Sequence, residues 1–382
     1  MLGEEEVLGD EARLLYVYPQ HHTVSFTLVA KRHIEYIRRQ GLAAVQELDE
    51  LMFPSFRPQL RYTAVLHPFI FTWEKVVSHY REAASEHLKD RALEHIEAFR
   101  DRYEQVVGLD VCDSDQVSEY AVGLLSYADK LVVPSGYCAA VYRQSGVMRP
   151  VYRVPHGVDY SWYLAPNIWE TPRARALSQT LLDLYLFKVK RKRRVLLFWL
   201  WHSDERKGWP EVRALYERLA GERNDVVLVL KTATPDSPAF QQVARLGAVQ
   251  VYGWLSDLEK MALYDLADIT LVFTRGGGFE MNALESLARG VPVITSDRGS
   301  WTEYVPPFLQ ARAGERVKVL EGNNIHVGYG YKVDVEDALN KVHDILENYS
   351  DYRARVEEWR RTLINEYRWD IIAKRLVTVI NS

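Results

Sequence analysis

The segment that most constrains the fold is residues 273–295, with the sequence FTRGGGFEMNALESLARGVPVIT. An apolar strand over residues 269–273 leads into three glycines, a helix follows over residues 280–288, and Gly290 ends it before a second apolar strand. Glycines let backbone N–H groups approach a ligand closely, and the N-terminus of a helix carries partial positive charge. The pattern therefore predicts an anion-binding loop between two strands of an α/β sheet.

A carboxylate further along the same helix adds a second binding capacity. Glu285 follows Glu280 by five residues, which is about 8 Å at a rise of ~1.5 Å per residue. A carboxylate accepts hydrogen bonds from hydroxyl groups, so one ligand can contact both the anion loop and this acceptor. A nucleotide-sugar carries both kinds of group.

Length and composition describe a soluble globular protein of two domains. A chain of 382 residues exceeds the size at which a single core usually stops growing. Its 47% hydrophobic and 26% charged residues are ordinary for a globular protein. A net charge of -4 gives no general reason to expect a nucleic-acid partner.

Two further observations concern the cellular setting. Cys112 and Cys138 are too few for a disulfide framework, and no secretory signal pattern opens the sequence, so we expect a reducing, cytoplasmic location. No apolar run approaches the length that spans a bilayer. Residues 188–194 hold six basic residues in seven positions, which indicates either a solvated entrance to a strand or contact with anionic lipid or a polyanionic acceptor.

Apolar runs and helical stretches alternate along both halves of the chain. In the first half we predict strands over residues 13–18, 63–66, 109–112, 130–134 and 151–155, with helices over 24–39 and 116–128. In the second half we predict strands over residues 195–200, 226–230, 249–252, 269–273 and 291–295, with helices beginning near 210, 256 and 280. This alternation predicts two Rossmann-like domains, with ligand bound at the carboxyl ends of the strands in the cleft between them.

Residues 273–295 resemble the donor-binding motif of retaining GT-B glycosyltransferases of the large family-4-like group (glycosyl transferases group 1). The likeness rests on the Gly-Phe pair, on Glu285 and Ala288, and on residues 290–294, GVPVI. The family's motif carries two glutamates separated by seven residues. Glu285 matches the second, which holds the ribose, whereas the first, which contacts the transferred sugar, falls on Gly277. Either Glu280 substitutes for it, or Glu280 is simply an acidic residue favoured at a helix N-terminus.

The resemblance implies a GT-B fold, with two Rossmann-like domains, a cleft between them and a C-terminal helix that crosses back to the first domain. Residues 154–159 resemble the family's interdomain segment, with His156 in place of the usual asparagine, and Arg368, Trp369 and Asp370 resemble the start of its closing helix. We expect an acceptor-side domain over residues 1–160, a nucleotide-sugar-binding domain over 161–365 and the returning helix over 366–382. The matching segments run from about residue 128 to the end.

The resemblance also assigns a basic loop, residues 201–209. Family members carry a basic pair there, and the lysine before the glycine reaches the leaving diphosphate, a position that Lys207 occupies. His202 stands where the family has its arginine, while Arg206 adjoins the lysine, so either can supply the second charge. Positive charge there would stabilise the departing diphosphate. An exposed charged turn is the alternative interpretation.

Other positions complete the donor site that the family implies. Gly277, Gly278 and Phe279 form the glycine loop, and Tyr252 and Trp254 lie in a segment that flanks the nucleobase. For Trp254 a core or surface role is an equal alternative. Lys231 is a third candidate cation, but a lysine at the end of a strand is more often solvated.

The first domain offers three histidines as candidates. His67, after the strand at residues 63–66, matches a family histidine that hydrogen-bonds the donor sugar, although a histidine at the end of a strand is often structural. His21 and His22 follow the first strand where the family often has two glycines. They line the acceptor side in one interpretation and are surface residues in the other.

The sequence thus predicts a retaining glycosyltransferase that moves a sugar from a nucleoside-diphosphate sugar to a hydroxyl of a glycan, lipid or small-molecule acceptor, without a metal or other cofactor. Asp113 and Asp115 favour a rival in which Mg²⁺ or Mn²⁺ bridges the diphosphate, although capping of the helix at 116–128 also explains Asp115. A nicotinamide dehydrogenase is disfavoured, because no Gly-x-Gly-x-x-Gly follows the first strand. The other alternative is a catalytically silent protein that binds a sugar-nucleotide or glycan, which Gly277 in place of a glutamate would support.

Overall fold

Two parallel six-stranded sheets, one in each half of the chain, form the frame of the protein. The computed structural model describes residues 13–82 and 89–382, so the first 12 residues of the predicted first domain lie outside the described residues. Both sheets carry helices on their two faces. This is the predicted GT-B architecture.

The first sheet has the strand order β2-β1-β3-β4-β5-β6. Its strands are β1 Arg13–Tyr18, β2 Ala44–Asp49, β3 Thr63–Leu66, β4 Gln105–Leu109, β5 Lys130–Val133 and β6 Val151–Arg153. The helices that accompany it are α1 Ser25–Arg39, α2 Phe69–Glu82, α3 Lys89–Arg100, α4 Glu119–Leu125 and α5 Gly136–Gln144, with a 3-10 turn at Phe53–Ser55. The strand order reverses beside β1, which opens a crevice outside its carboxyl end.

A connecting region of short helices follows, with α6 at Tyr160–Leu164 and 3-10 turns at Ile168–Glu170 and Pro172–Ala176. The second sheet has the order β12-β11-β10-β7-β8-β9. Its strands are β7 Arg194–Leu200, β8 Val226–Thr232, β9 Val249–Tyr252, β10 Ile269–Val272, β11 Val293–Ser296 and β12 Gln310–Ala311. Because the order reverses between β7 and β10, the loops that follow these two strands border a common crevice.

The helices of the second half are α7 Gln179–Arg191, α8 Trp209–Glu222, α9 Pro238–Val243, α10 Asp257–Leu266, α11 Met281–Ala288, α12 Val335–Glu347 and α13 Tyr349–Leu363. Further 3-10 turns lie at Ala244–Leu246, Ser300–Glu303 and Pro307–Leu309. Helix α11 is buried over most of its length, from Ala283 to Ala288, as expected for a helix that is apolar nearly all round. It therefore holds its few polar side chains inside the domain.

The last helix, α14 Trp369–Asn381, crosses back to the first domain. Trp369, Ile372 and Leu376 belong to the same buried cluster as Leu14, Tyr16 and other residues of β1 and α1. The chain reaches this position through Val158, whose N–H donates to the carbonyl of Tyr367 at 3.1 Å.

A β-hairpin of the second half also contacts the first domain. It consists of β13 Ala313–Lys318 and β14 Tyr329–Val333. The hairpin loop lies along residues 114–118, where Asp115 N–H donates to the carbonyl of Tyr329 at 2.9 Å and Ser118 N–H donates to that of Ile325 at 2.9 Å. The two domains are therefore joined at this side of the cleft as well as through α14.

Two local predictions were wrong, and one strand was missed. The strand predicted over residues 109–112 lies at Gln105–Leu109, because Asp110 turns the chain by accepting hydrogen bonds from the N–H groups of Ile70 and Val111. Strand β2 was not predicted, because this edge strand is half polar and only partly buried. The helix predicted from residue 116 begins at Glu119, and its capping residue is Ser118, whose Oγ accepts from Ala121 N–H, in place of Asp115.

Within the described residues, no helix is both long and apolar enough to cross a membrane. The basic run at residues 188–194 lies at the end of α7 and the start of β7. Lys188 and Arg194 pair with Asp268, whereas Lys190, Arg191 and Lys192 are exposed. Part of this run is therefore structural, and its centre faces solvent.

Candidate active site

The loops after β7 and β10 meet at the crevice of the second sheet. Arg275 N–H donates to the carbonyl of Arg206 at 2.8 Å, which joins the basic loop to the glycine loop. Gly208 has a φ of +77°, and a Cβ there would collide with the carbonyl of Phe273. Only glycine fits both the backbone angle and the space, so the close packing of the two loops depends on it.

Lys207 and Glu280 form the central ion pair of this site. The Lys207 ammonium donates to both carboxylate oxygens of Glu280 at 2.9 Å. The Glu280 side chain is 4% exposed and that of Lys207 is 21% exposed, so the carboxylate is buried behind the ammonium. Tyr304 fixes the backbone, because its hydroxyl accepts from Glu280 N–H at 2.8 Å and donates to the Glu280 carbonyl at 3.1 Å.

The Glu280 carboxylate also lies against Gly277. A Cβ built on Gly277 would be only 2.7 Å from Oε1 of Glu280. Glu280 therefore places its carboxylate where a side chain on residue 277 would begin, which is the position at which the resemblance expects a glutamate. Its residue type alone did not distinguish this placement from an ordinary acidic residue at a helix N-terminus.

Glu285 lies five residues further along the chain, within α11, and is also buried. One of its oxygens accepts from the Lys260 ammonium at 2.7 Å, and the other accepts from the Tyr264 hydroxyl at 2.8 Å. Burial and the nearby Glu285 charge raise the pKa of Tyr264 well above its usual value. The carboxylate has lone pairs to spare, so these two donors do not exhaust its capacity.

The Arg206 side chain contacts the first domain. Its guanidinium donates to Asp113 and to the carbonyl of Gly276, both at 3.2 Å, and the residue is buried. Of the two candidates for a second positive charge, Arg206 is thus already paired. His202 is exposed beside Ser203. The pKa of its imidazole is lowered, mainly by partial desolvation and also by the positive charges of Arg206 and Lys207.

The two aspartates considered as metal ligands have other partners. Asp113 pairs with Arg206, while Asp115 pairs with Arg316 at 2.7 Å and accepts from Tyr329 N–H at 2.6 Å. Both therefore hold the hairpin and the basic loop against the first domain. In the part of the chain that the structure describes, no group of three or more His, Cys, Asp or Glu residues is arranged to hold a metal ion.

Aromatic residues surround the mouth of the crevice near the end of β9. Trp201 and Trp254 meet edge to face with ring centres 6.3 Å apart, and both are exposed, as is Tyr252. Beneath them lies Lys231, the third candidate cation, which is buried and not solvated, and which donates to the carbonyls of Thr232 and Gly253. Burial, with the charge of Lys260, lowers the pKa of Lys231 to about 8.

The facing wall in the first domain contains a cluster of histidines. Tyr16 lies between His33 and His67, its hydroxyl 2.8 Å from Nδ1 of His33 and 3.4 Å from Nδ1 of His67, and the two imidazoles stack. His156 contacts the ring of Phe279 from the glycine loop, with centres 5.0 Å apart. Of these three histidines only His67 was predicted as a site residue, because nothing local marks His33 and His156 as its neighbours.

These three imidazoles are buried and uncharged. Burial lowers the pKa of His33 and of His156 to about 3. His67 shows the same direction, since burial and its two imidazole neighbours lower its pKa well below its usual value. Neutral imidazoles provide one donor and one acceptor each, so this wall offers hydrogen bonds without net charge.

His21 and His22 lie at the outer edge of the cleft. They line a cavity of about 360 Å³ together with Gln20, Lys31 and Trp254. The cavity therefore lies between the loop after β1 and the aromatic residues of the second domain. Arg32, next to Lys31, bridges the domains here through Asp257 and also pairs with Asp159 of its own domain.

The likeness to a known family lies in the second domain. Residues 200–314 match the family model of glycosyl transferases group 1. This part of the chain is thus similar to a group 1 glycosyltransferase domain. It contains the basic loop, the glycine loop and α11, so the Lys207–Glu280 and Lys260–Glu285 pairs both lie within the matched domain.

Similar proteins extend the likeness beyond the glycosyltransferase domain. Uncharacterized protein 356 of Sulfolobus islandicus rod-shaped virus 1 is 28% identical over 379 residues, which cover 96% of this chain and 98% of that protein. MMP alpha-(1->4)-mannosyltransferase of Mycolicibacterium hassiacum is 24% identical over 176 residues, or 45% of this chain and 39% of that enzyme. Sucrose-phosphate synthase of Thermosynechococcus elongatus has a similar fold, with a TM-score of 0.65 at 14% identity and coverage of 97% and 98%. The predicted GT-B glycosyltransferase fold and enzyme class are confirmed.

Proposed function

We propose that the protein is a retaining glycosyltransferase that transfers a sugar from a nucleoside-diphosphate sugar to an acceptor hydroxyl. The observation that carries this proposal is the Lys207–Glu280 pair, which lies at the start of α11 and beside Gly277 within the group 1 domain. It combines a cation for the diphosphate with a carboxylate for the sugar. The named relative, an alpha-(1->4)-mannosyltransferase, is consistent with sugar transfer.

The donor is proposed to lie along the crevice of the second sheet. Its nucleobase would stack near Trp254 and Tyr252, and its ribose would hydrogen-bond to Glu285. The diphosphate would lie between Lys207 and the first N–H groups of α11, where the helix dipole favours negative charge. This order runs from the exposed aromatic residues to the buried ion pairs.

Binding of the diphosphate would change the partner of Lys207. In the structure the ammonium is balanced by Glu280, and an incoming diphosphate offers it a stronger negative charge. Glu280 would then be free to accept hydrogen bonds from hydroxyls of the transferred sugar. A buried carboxylate needs such replacement donors, because an unpaired charge is costly in the protein interior.

In the proposed reaction the bond between the sugar and the diphosphate breaks, and the acceptor hydroxyl attacks the same face of the sugar. The proton of that hydroxyl passes to an oxygen of the departing diphosphate. No side-chain nucleophile is proposed. Lys207 stabilises the charge that develops on the leaving group, and neutral His67 supplies a hydrogen bond to the donor sugar without altering the balance of charge.

The acceptor is proposed to approach from the first domain. The cavity lined by His21, His22 and Lys31 opens on that side of the cleft, and the sugar would lie between it and the histidine cluster. A glycan, a lipid and a small molecule all remain acceptor classes for this proposal. The cytoplasmic location, with contact to the inner membrane face through the basic run, stays a prediction.

We propose that transfer needs no metal ion, because Lys207 and the N-terminus of α11 supply positive charge where a divalent ion would act. The alternative function, a silent sugar-nucleotide or glycan-binding protein, rested on Gly277 in place of a glutamate. The Glu280 carboxylate at that position favours the transferase.

A panel of nucleotide-sugars tests the proposal in two steps. Thermal shift identifies the donors that bind, and incubation with candidate acceptors followed by NMR of the product gives the anomeric configuration. We expect one class of donor to stabilise the protein and to yield product with the donor's configuration. Product of opposite configuration would contradict retention, and binding without transfer or hydrolysis for every donor would favour the silent alternative.

A further inference from the structure

The two cysteines of the chain lie in contact beneath the glycine loop. Cys112 lies in the loop after β4, and Cys138 lies in the first turn of α5. Their Sγ atoms are 2.8 Å apart, and both side chains are fully buried. A disulfide has an S–S distance of about 2.05 Å, so a bond between them requires a movement of less than about 1 Å.

The surrounding backbone already holds both residues in place. Cys112 N–H donates to Sγ of Cys138 at 3.2 Å, which orients one residue toward the other. Ser135 Oγ caps α5 by accepting from Cys138 N–H at 3.1 Å, and it donates to the carbonyl of Gly278 at 2.8 Å. Joining the sulfurs therefore leaves the capped start of α5 unchanged.

We propose that Cys112 and Cys138 form an intramolecular disulfide by exchange with a low-molecular-weight disulfide. One cysteine thiolate attacks a sulfur of the reagent, which forms a mixed disulfide and releases the first reagent thiolate. The second cysteine thiolate then attacks the cysteine sulfur of the mixed disulfide and releases the second. The pair loses two protons and two electrons, and the reagent disulfide is reduced to two thiols.

Burial determines when this exchange takes place. Burial and the hydrogen bond with Cys138 raise the pKa of the Cys112 thiol well above its usual value, so little thiolate forms in the folded protein. Exchange requires the thiolate and access to it. The bond therefore forms while the chain folds, and once formed it resists reductant until the first domain unfolds.

The location connects this bond to the group 1 domain. Sγ of Cys138 is 3.8 Å from the carbonyl oxygen of Gly278, and a Cβ on Gly278 would be 2.6 Å from that sulfur. The glycine loop thus packs directly against the cysteine pair. The cross-link closes a loop that contains α4 and β5, and it stabilises the part of the first domain on which the glycine loop rests.

The test compares the full chain refolded in an oxidised and reduced glutathione buffer with the chain refolded in a phosphine reductant. Each sample is denatured, alkylated and measured by mass spectrometry. We expect the first sample to carry no alkyl groups and a mass lower by two hydrogen atoms, and the second to carry two alkyl groups. Two alkylated cysteines in the first sample, or a dimer linked through these cysteines, would overturn the proposal.

Thermal unfolding provides a second measurement. Closing the loop should raise the midpoint of the oxidised protein by roughly 5–10 °C over the reduced protein. The matched controls are Cys112→Ser and Cys138→Ser, which keep a residue of similar size and should unfold at one temperature in both buffers. Equal midpoints for the parent in both buffers would contradict the proposal, and the mass measurement needs no variant to fold.

Discussion

The two walls of the cleft handle charge in opposite ways. In the second domain, Lys207 and Lys260 each cover a buried carboxylate, and their side chains are about equally exposed at 21% and 22%. In the first domain, His33, His67 and His156 are buried with no carboxylate partner among the described residues, and burial keeps them neutral. The second-domain wall thus balances its buried charges in pairs, whereas the histidine cluster of the first domain is buried without charge.

The difference indicates how a charged ligand would divide its contacts. A paired ammonium at the edge of solvent can exchange its carboxylate for a diphosphate, because both partners carry negative charge. A neutral imidazole cannot attract that group, but it can hydrogen-bond to a sugar hydroxyl. We therefore expect the second-domain wall to recognise the charge of a ligand and the first-domain wall to recognise its hydroxyls, and four experiments test this expectation.

The largest effect is expected for Lys207→Ala. Loss of the ammonium should lower kcat about 10²–10³-fold, because a preorganised charge contributes most when the leaving group gains charge. The measurement is steady-state kinetics with the donor that the panel identifies. The variant also leaves Glu280 buried without its partner, so the double variant Lys207→Ala/Glu280→Gln is the control, and it should regain stability but not turnover. Parent-like kcat in the single variant would show that Lys207 has only a structural role, as the partner of Glu280.

The next effect is expected for Glu285→Gln. The substitution keeps the shape but removes the charge that would hold two ribose hydroxyls, so nucleotide affinity should fall about 10–100-fold. Calorimetric titration of the preferred nucleotide measures the change. Tyr264→Phe is the matched control, because it removes one donor to Glu285 and leaves the carboxylate. If both variants lower the free energy of unfolding while nucleotide affinity stays constant, Glu285 has a structural role only.

The third effect is smaller per pH unit and concerns the stability that the buried histidines of the first domain contribute. The pKa of His156 is lowered to about 3 in the folded protein, whereas a histidine in the unfolded chain titrates near ~6.5. Below pH ~6.5 the unfolded chain binds a proton that folded His156 does not bind. The contribution of neutral His156 to the free energy of unfolding is therefore fully present above that pH. It is lost as the pH falls toward 3, at about 1.4 kcal/mol per pH unit.

The variant His156→Asn introduces the residue that the family resemblance expects. It should lower the slope of unfolding free energy against pH by the contribution of one proton, about 1.4 kcal/mol per pH unit. Denaturant unfolding at several pH values between about 4 and 6 measures it, at pH values where both proteins fold reversibly. Unfolding at pH 8 gives the change in packing separately, since the histidine is neutral there in both states. A slope equal to that of the parent would show that His156 does not titrate on unfolding.

The smallest effect is expected from removal of divalent metal. Activity should remain within about twofold after treatment with EDTA, because Lys207 and α11 supply the positive charge. The assay uses the identified donor before and after dialysis against the chelator. Complete loss of activity with recovery in Mn²⁺ would contradict the metal-free mechanism and direct attention to Asp113 and Asp115.

Much of the second domain could be predicted, because its signals are local. The apolar run at β10, the three glycines and the stop at Gly290 each impose a backbone conformation within a few residues. The structure accordingly has β10 at Ile269–Val272, α11 at Met281–Ala288 and β11 at Val293–Ser296. Prediction was weaker at β2 and β4 of the first domain, where a half-polar edge strand and a long apolar run leave the strand boundaries undetermined.

The sequence by itself determined two Rossmann-like domains, the glycine loop and the helix that follows Glu280 and carries Glu285. It could do so because the spacing of hydrophobic residues and the turn residues fix the backbone over short distances. Only the tertiary structure decided the partners of the side chains. Lys207 and Glu280 are 73 positions apart, Arg206 turns to Asp113 of the other domain, and Lys231 is buried. Such contacts depend on how distant elements pack against each other, and no local pattern encodes them.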